Sequence, residues 1–459
     1  MGVHRASFDG RVTLRTTHHR IHRTLATVGV LALVATACLG GDDGGGGDGE
    51  AGGDGGGGGG EVSVLSAFTG DEADLFRESF AAFEEESGYT VDYESAQGFE
   101  TIITTRVQGQ DAPDIALFPQ PGLLMGIQEQ TDALPLSEIL DIEQLQEQLI
   151  PGFLDATTDE EGNSYGLPMR MAVKSIMWYP VPEFEEAGYA IPETQEELDA
   201  LEEQIIADGN TPWCLGMEAG ASTGWVATDW VEEYMLRLHG PEVYDQWVQG
   251  ELAFDSPEVT AAFEAFGEVW QKEGNVVGGA NGLTNIPFGD SPNVMFDEEP
   301  GCYLHRQGNF ITGFFPDDVQ ENLDSNVGAA YFPPAPEEGF DGSPVLAGGD
   351  LALMINDTEP ARAFMEFLAE PTFGEPWAEA GGWLSPNREF DESVYPNDVT
   401  REVYSIGADA DILRYDASDS MPGAVGAGTF WSQSVEWVAG QQDLEATLQQ
   451  IEQSWPESG

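Results

Sequence analysis

Between residues 61 and 118 short β-type runs alternate with apolar residues at helix spacing, and this alternation limits the possible folds more than any other feature. The run 61–66 (EVSVLS) reads as a strand. A polar turn, Thr69-Gly70-Asp71, follows, and then Leu75, Phe76, Phe80 and Phe83 recur at helix spacing. Gly88 ends that helix and 89–93 (YTVDY) is a second strand. A helical stretch over 98–107 leads to a third strand, 114–118 (DIALF), stopped by Pro119 and Pro121. This order predicts an α/β fold, a parallel sheet with covering helices. In such sheets ligands bind beyond the carboxyl ends of the strands. The rim so defined carries Phe68, Thr69, Gln97, Phe99, Phe118 and Gln120.

Further along, 165–168 (YGLP) and the apolar run 172–179 read as a crossing into another lobe. Helices are expected over 193–207, 225–238 and 257–273. The segment 302–315 is rich in glycine and aromatics and holds Gln307, Asn309 and Phe310. A strand is expected at 347–355, a helix at 360–369 and a second crossing at 384–387 (LSPN). Helices at 399–407, 430–438 and 444–455 close the chain. From residue 61 on, the length exceeds what one hydrophobic core holds.

The N-terminus reads as an export signal. Arg5, Arg11, Arg15, Arg20 and Arg23 precede an apolar run at 25–37, too short to span a bilayer, which needs about 20 apolar residues. Ala35-Thr36-Ala37-Cys38 resembles a lipobox, with Cys38 as the lipidated residue. The departure is Ala35, where the pattern carries Leu, Val or Ile; cleavage without lipidation would leave Cys38 a free thiol. The next segment, 40–60, is almost entirely glycine and aspartate. With no apolar surface to offset ordering, it is expected to be a solvated tether with an r.m.s. span of roughly 25 Å.

Charge excludes some partners. The formal net charge is −67, and removal of the five arginines and Asp9 ahead of Cys38 takes it to −71. Such a chain is repelled by nucleic acid and anionic lipid. Past Cys38 the only lysines are Lys174 and Lys272, and neither follows a glycine, so no phosphate-binding Walker loop exists. Cys214 and Cys302 remain in the exported part, where a pair favours a disulfide over two buried thiols. There is no histidine or cysteine cluster for a metal, and Asp409 and Asp411 lack the rest of a calcium loop. No cofactor is expected.

One family matches this order of elements. Residues 80–88 (FAAFEEESG), 112–122 (APDIALFPQPG), 211–216 (TPWCLG), 223–230 (TGWVATDW), 304–310 (LHRQGNF), 347–350 (AGGD) and 381–387 (GGWLSPN) resemble family 1 of the extracellular solute-binding proteins of ABC importers. Within it the chain is most similar to the α-glucoside group, relatives of the maltose- and trehalose-binding proteins. The resemblance implies a two-lobe periplasmic-binding-protein fold, type II-like, with solute in the cleft. It implies a signal peptide at 1–37, an anchor and tether at 38–60, a first lobe at 61–168 with 350–384, and a second at 169–349 with 385–459. The implied protein is a monomer on the outer face of the cell membrane that delivers solute to permease subunits.

A sugar offers an apolar C–H face and a hydroxyl rim. Aromatic faces suit the first; amides, carboxylates and guanidinium groups suit the second. The stacking candidates are Phe99, Phe118, Trp225, Phe310, Trp383 and Trp431, with Phe118 and Trp431 at positions where the maltose-binding pattern places rings. Gln97, Gln120, Arg170, Asp229, Gln307 and Asp350 are the hydroxyl candidates, and Phe68, Thr69 and Gly349 complete the expected site. Core packing competes with each aromatic assignment, and surface solvation with each acid. Pro121 stands where the maltose pattern has an acid, so contacts on that rim must differ. Another oligosaccharide or a polyol could fill the same cleft, and two enzyme readings also compete. Gly220-Ala-Ser-Thr-Gly224 fits G-x-S-x-G, with His305 downstream, as in serine hydrolases. A glycoside hydrolase needs a carboxylate pair that nothing here marks.

Overall fold

A computed structural model describes residues 59–159, 161–333, 339–410 and 412–456. Cys38, the expected signal and the expected tether up to residue 58 lie outside them. Among the described residues nine strands form two sheets. The first contains β1 (Glu61–Ser66), β2 (Thr90–Ser95), β3 (Ile115–Phe118), β4 (Leu167–Val173), β8 (Val345–Met354) and β9 (Leu413–Tyr415), with the path β2-β1-β3-β8-β4 and β9 beside β8. The second is β6-β5-β7, from β5 (Ile176–Pro180), β6 (His305–Arg306) and β7 (Val327–Tyr331). As the alternation predicts, β2, β1 and β3 are parallel. β8 returns from the second lobe and runs antiparallel to both β3 and β4.

The same period-2 and helical patterns build the first core. Val62, Val64 and Leu65 of β1, all four residues of β3 and Leu351–Met354 of β8 are buried with Phe76 and Phe364. A second core gathers Trp213, Trp230, Trp247, Phe263, Phe266 and Phe430. Two sheets with two apolar centres make the two-lobe α/β architecture, and the second sheet is shared between them, with Ile176, Trp178, Val327 and Ala329 in the first core and Met177 in the second.

Three local expectations are corrected. The single helix through Phe83 is two, Asp71–Ser79 and Ala81–Ser87, because Phe80 leaves helical geometry at ψ 5°. Gly88 then closes the second with φ 73°, a left-handed cap that glycine adopts without penalty. The apolar run 172–179 is not one strand. It breaks at Lys174 and Ser175, and the sheet changes there rather than at residue 168. Nor does the first sheet end at Leu384, since β9 pairs with β8 and the second core resumes at Ala417.

Cys214 and Cys302 form a disulfide with Cα atoms 5.6 Å apart, closing 88 residues. By loop-closure entropy such a bridge contributes about 4 kcal/mol. Among the described residues no helix is long and apolar enough to cross a membrane.

Candidate functional site

Strand ends of the first sheet position the first wall of the cleft. Arg170 on β4 lies opposite Asp350 on β8 in register. Its Nε donates to Asp350 Oδ2 at 2.6 Å, and its Nη1 to Glu72 Oε1 at 2.8 Å. Its guanidinium also lies 4.9 Å from the ring centres of both Phe68 and Trp377. Gly349 makes this pairing possible, since at φ 149° a Cβ would sit 2.0 Å from the Arg170 carbonyl oxygen. The Tyr415 hydroxyl donates to the Gly349 carbonyl and ties β9 to the same point.

The second wall starts at the helix Trp225–Val248. Trp225 is half-buried, and Asp229 follows on the same face one turn later. Asp229 Oδ1 accepts from Lys174 Nζ at 3.0 Å, and Asp416 Oδ2 accepts from the same ammonium at 2.5 Å. Lys174 Nζ is 5.7 Å from the Trp225 ring centre. Asp416 Oδ1 caps the turn Ala417–Ser420, accepting from the backbone of Asp419 at 2.9 Å. Glu232 accepts from the backbone of Ala417 and Ser418 at 3.2 and 3.0 Å. A π-helical turn, Ala424–Phe430, then delivers Trp431, whose indole N–H donates to Ser418 Oγ at 3.1 Å. Gly224 lies against the Trp431 backbone, where a Cβ would come within 2.5 Å of its carbonyl oxygen.

Oxygens of Asp229, Glu232 and Asp416 all lie within 4.8 Å of one another. Crowded carboxylates could bind a metal, but the Lys174 ammonium already sits among these. Burial pushes the Asp229 carboxyl up to about 8, with Lys174 pulling it down and Asp416 raising it. Burial works against charge on Asp416 as well, yet Lys174 and the hydrogen bonds it accepts hold it well below the usual range. Of the two, Asp229 is therefore the more readily protonated and Asp416 the more firmly charged.

Lys174 and Ser175 join the two sheets. Ser175 Oγ donates to Glu233 Oε1 at 2.8 Å and accepts from the Leu346 backbone at 2.8 Å. Glu233 is paired with Arg306, and with Arg237 at 2.6 Å. Where the chain passes between lobes, buried ion pairs thus fix the local geometry.

A cavity of about 350 Å³ opens between the walls, lined by Glu100, Thr101, Gln120 and Leu123 from the first and by Ser418, Asp419 and Met421 from the second. Its volume is within the range of small-molecule sites. A larger groove, about 1000 Å³, lies on helices of the second lobe among Glu196, Asp199, Glu203, Glu264 and Glu268. It shares no residue with the cleft, and a neutral solute there would desolvate many carboxylates.

The structure brings together Phe68, Arg170, Gly349 and Asp350 on one wall, and Trp225, Phe310, Asp229 and Trp431 on the other. Trp225 and Phe310 rings are 5.9 Å apart. Gln120 lines the cavity, and Thr69 and Gln97 are exposed on the rim. Three expected stacking rings are core residues instead. Phe99 and Phe118 pack edge to face at 5.1 Å, and Trp383 is 1% exposed against Phe373 and Phe390. Gln307 is also turned inward, its Oε1 accepting from Gly308 N. His305, which the hydrolase reading needs, is buried with Nδ1 2.7 Å from the Cys214 carbonyl. Sequence reasoning missed Lys174, Glu72 and Asp416. The available signal was Lys174 itself, one of two lysines in a very acidic chain, set inside an apolar run.

Comparison with known proteins decides the family. The model of bacterial extracellular solute-binding proteins matches residues 69–374. The chain belongs to that family. It is 42% identical over 396 residues to the osmoprotective compounds-binding protein GgtB of Synechocystis, covering 86% of this chain and 92% of that one. It is 36% identical over 401 residues to the alpha-glucosides-binding periplasmic protein AglE of Rhizobium meliloti, covering 86% of each. A solved chitin oligosaccharide binding protein shares the fold, with TM-score 0.71 at 17% identity, covering 86% of this chain and 97% of that one. Membership makes this an exported binding protein and not an enzyme, so both hydrolase readings fall.

Proposed function

We propose that this protein is the receptor of an ABC importer for a neutral sugar of the α-glucoside class, held at the membrane by a lipid on Cys38. One observation carries the substrate class. Both cations near the cleft are already matched within the protein, Arg170 by Asp350 and Glu72, and Lys174 by Asp229 and Asp416. Half-open aromatic rings remain at Trp225, 5.7 Å from the Lys174 ammonium, and at Phe310 next to it. A cleft whose cations are matched and whose rings are open disfavours an anion and favours a solute with an apolar face and many hydroxyls, which Glu100 and Asp419 on the cavity wall can accept from. The relatives named for α-glucosides and for osmoprotective compounds support this reading. Binding between the walls would favour the closed form, which permease subunits recognise.

Thermal unfolding at high salt tests it, with maltose, trehalose, sucrose and longer α-glucosides, then amino acids and polyamines. A ligand at 100 times its Kd stabilises the fold by about 2.7 kcal/mol, or roughly 3 °C for a chain of this size. A shift with an α-glucoside recovered intact is the expected result. A shift only with a charged solute would end the sugar assignment. For the anchor, Cys38→Ser is expected to move the protein from the membrane fraction to the medium. Retention at the membrane would rule out the lipid.

A further inference from the structure

The aromatic surface does not stop at the cleft. From Trp225 the rings continue to Phe288, 5.1 Å centre to centre, and from Phe288 to Phe314 at 5.0 Å. Phe314 is 44% exposed, one of two large apolar side chains so open among the described residues. Glycines seat the rings at both ends of the row. A Cβ on Gly308 would fall 2.5 Å from Phe310 Cε1, and one on Gly289 would fall 2.4 Å from Phe314 Cδ1. Each ring is therefore pressed on main chain, and Phe314 keeps the rest of its surface open.

We propose that Phe288 and Phe314 form an outer stacking subsite, continuous with the cleft, for a further ring of a longer sugar. The proposal rests on the reading that the cleft takes an α-glucoside. The rings meet edge to face, with 69° and 60° between their planes, and exposed Asn285, Asp290 and Gly313 are close to them along the chain. That shape matches the apolar face of a pyranose flanked by groups able to take its hydroxyls. A stable protein partner would need about 1000 Å² of contact, which a single row of rings does not offer. The receptor then selects by chain length, because only a solute that extends past Trp225 reaches Phe314.

The test is calorimetric titration of the purified protein with maltose, maltotriose and maltotetraose, repeated on Phe314→Ala. In the unaltered protein affinity is expected to rise about fivefold from the disaccharide to the longest sugar. Phe314→Ala is expected to remove that gain and leave the maltose Kd within about twofold. Affinity that does not change with length, or a variant that weakens all three sugars alike, overturns the outer subsite while maltose binding upholds the sugar reading. Failure of all three sugars to bind overturns the outer subsite, and the sugar reading then stands or falls on trehalose and sucrose in the same titration. Since Phe314 is largely exposed, the variant is expected to fold, and its unchanged maltose affinity is the internal check.

Discussion

Lys174→Met is expected to destabilise the protein by about 3–5 kcal/mol, the loss usual when one partner of a buried ion pair is removed. Methionine keeps the length of the side chain but leaves Asp416 buried and charged with no counter-ion, beside Asp229 and Glu232. Urea unfolding at fixed salt measures this as a lower midpoint with an unchanged slope. Asp229→Asn should behave differently. In the native protein Asp229 is the more readily protonated of the pair, so an amide replaces a neutral acid of the same shape and the midpoint should shift by less than about 1 kcal/mol near pH 4, where the unfolded chain also holds much of the proton. It should also change the pH dependence. A carboxyl raised to about 8 in the folded state stabilises fully below the usual aspartate pKa, and its contribution is lost as pH rises through 8. Native stability should therefore fall between about pH 4 and 8, and Asp229→Asn, which releases no proton on unfolding, should flatten that fall by one proton's worth and be more stable than the unaltered protein at pH 7. Equal losses from Lys174→Met and Asp229→Asn, with identical pH profiles, would show that the cluster does not share a proton in this way.

The fold was readable because the alternation of strand and helix over 61–118 is local, and local hydrophobic period is what the sequence records well. The site was only partly readable. Phe99 and Phe118 sit at the right place along the chain, one starting a helix and the other ending a strand, yet both side chains turn into the first core. An aromatic at a strand end satisfies the stacking pattern and the packing pattern equally, so only three-dimensional contacts separate them. Trp383 fails for the same reason, covered by Phe373 and Phe390. Asp416 was hidden for another. In a chain of net charge −67 an acid carries almost no positional information, and its importance comes from a lysine 242 residues away. Arg170 and Asp350 were legible because one follows the expected crossing at 165–168 and the other lies on the expected strand at 347–355, so both fall where the lobes meet.

Trp225→Ala is expected to weaken sugar binding by roughly 30- to 100-fold, about 2–3 kcal/mol, with a much smaller effect on stability. Trp225 is half-buried at the start of a long helix, its ring touching Phe288 and Phe310 and lying near Lys174. Removing it takes away the face between the ion-paired rim and the outer aromatic strip, so every sugar length should suffer. Trp225→Phe retains a smaller face and should recover most of the affinity. Trp383→Ala is the matched contrast. It deletes an indole that is 1% exposed, so it should lower stability by about 3–5 kcal/mol. Whatever fraction remains folded should bind sugar with the native Kd. Calorimetry for Kd and urea unfolding for stability, run on the three variants, separate the two roles. If Trp225→Ala bound maltose as tightly as the unaltered protein, the second wall of the cleft would have to be redrawn around Trp431 and Asp419, and the solute would lie deeper between the lobes, against Gln120 and Glu100.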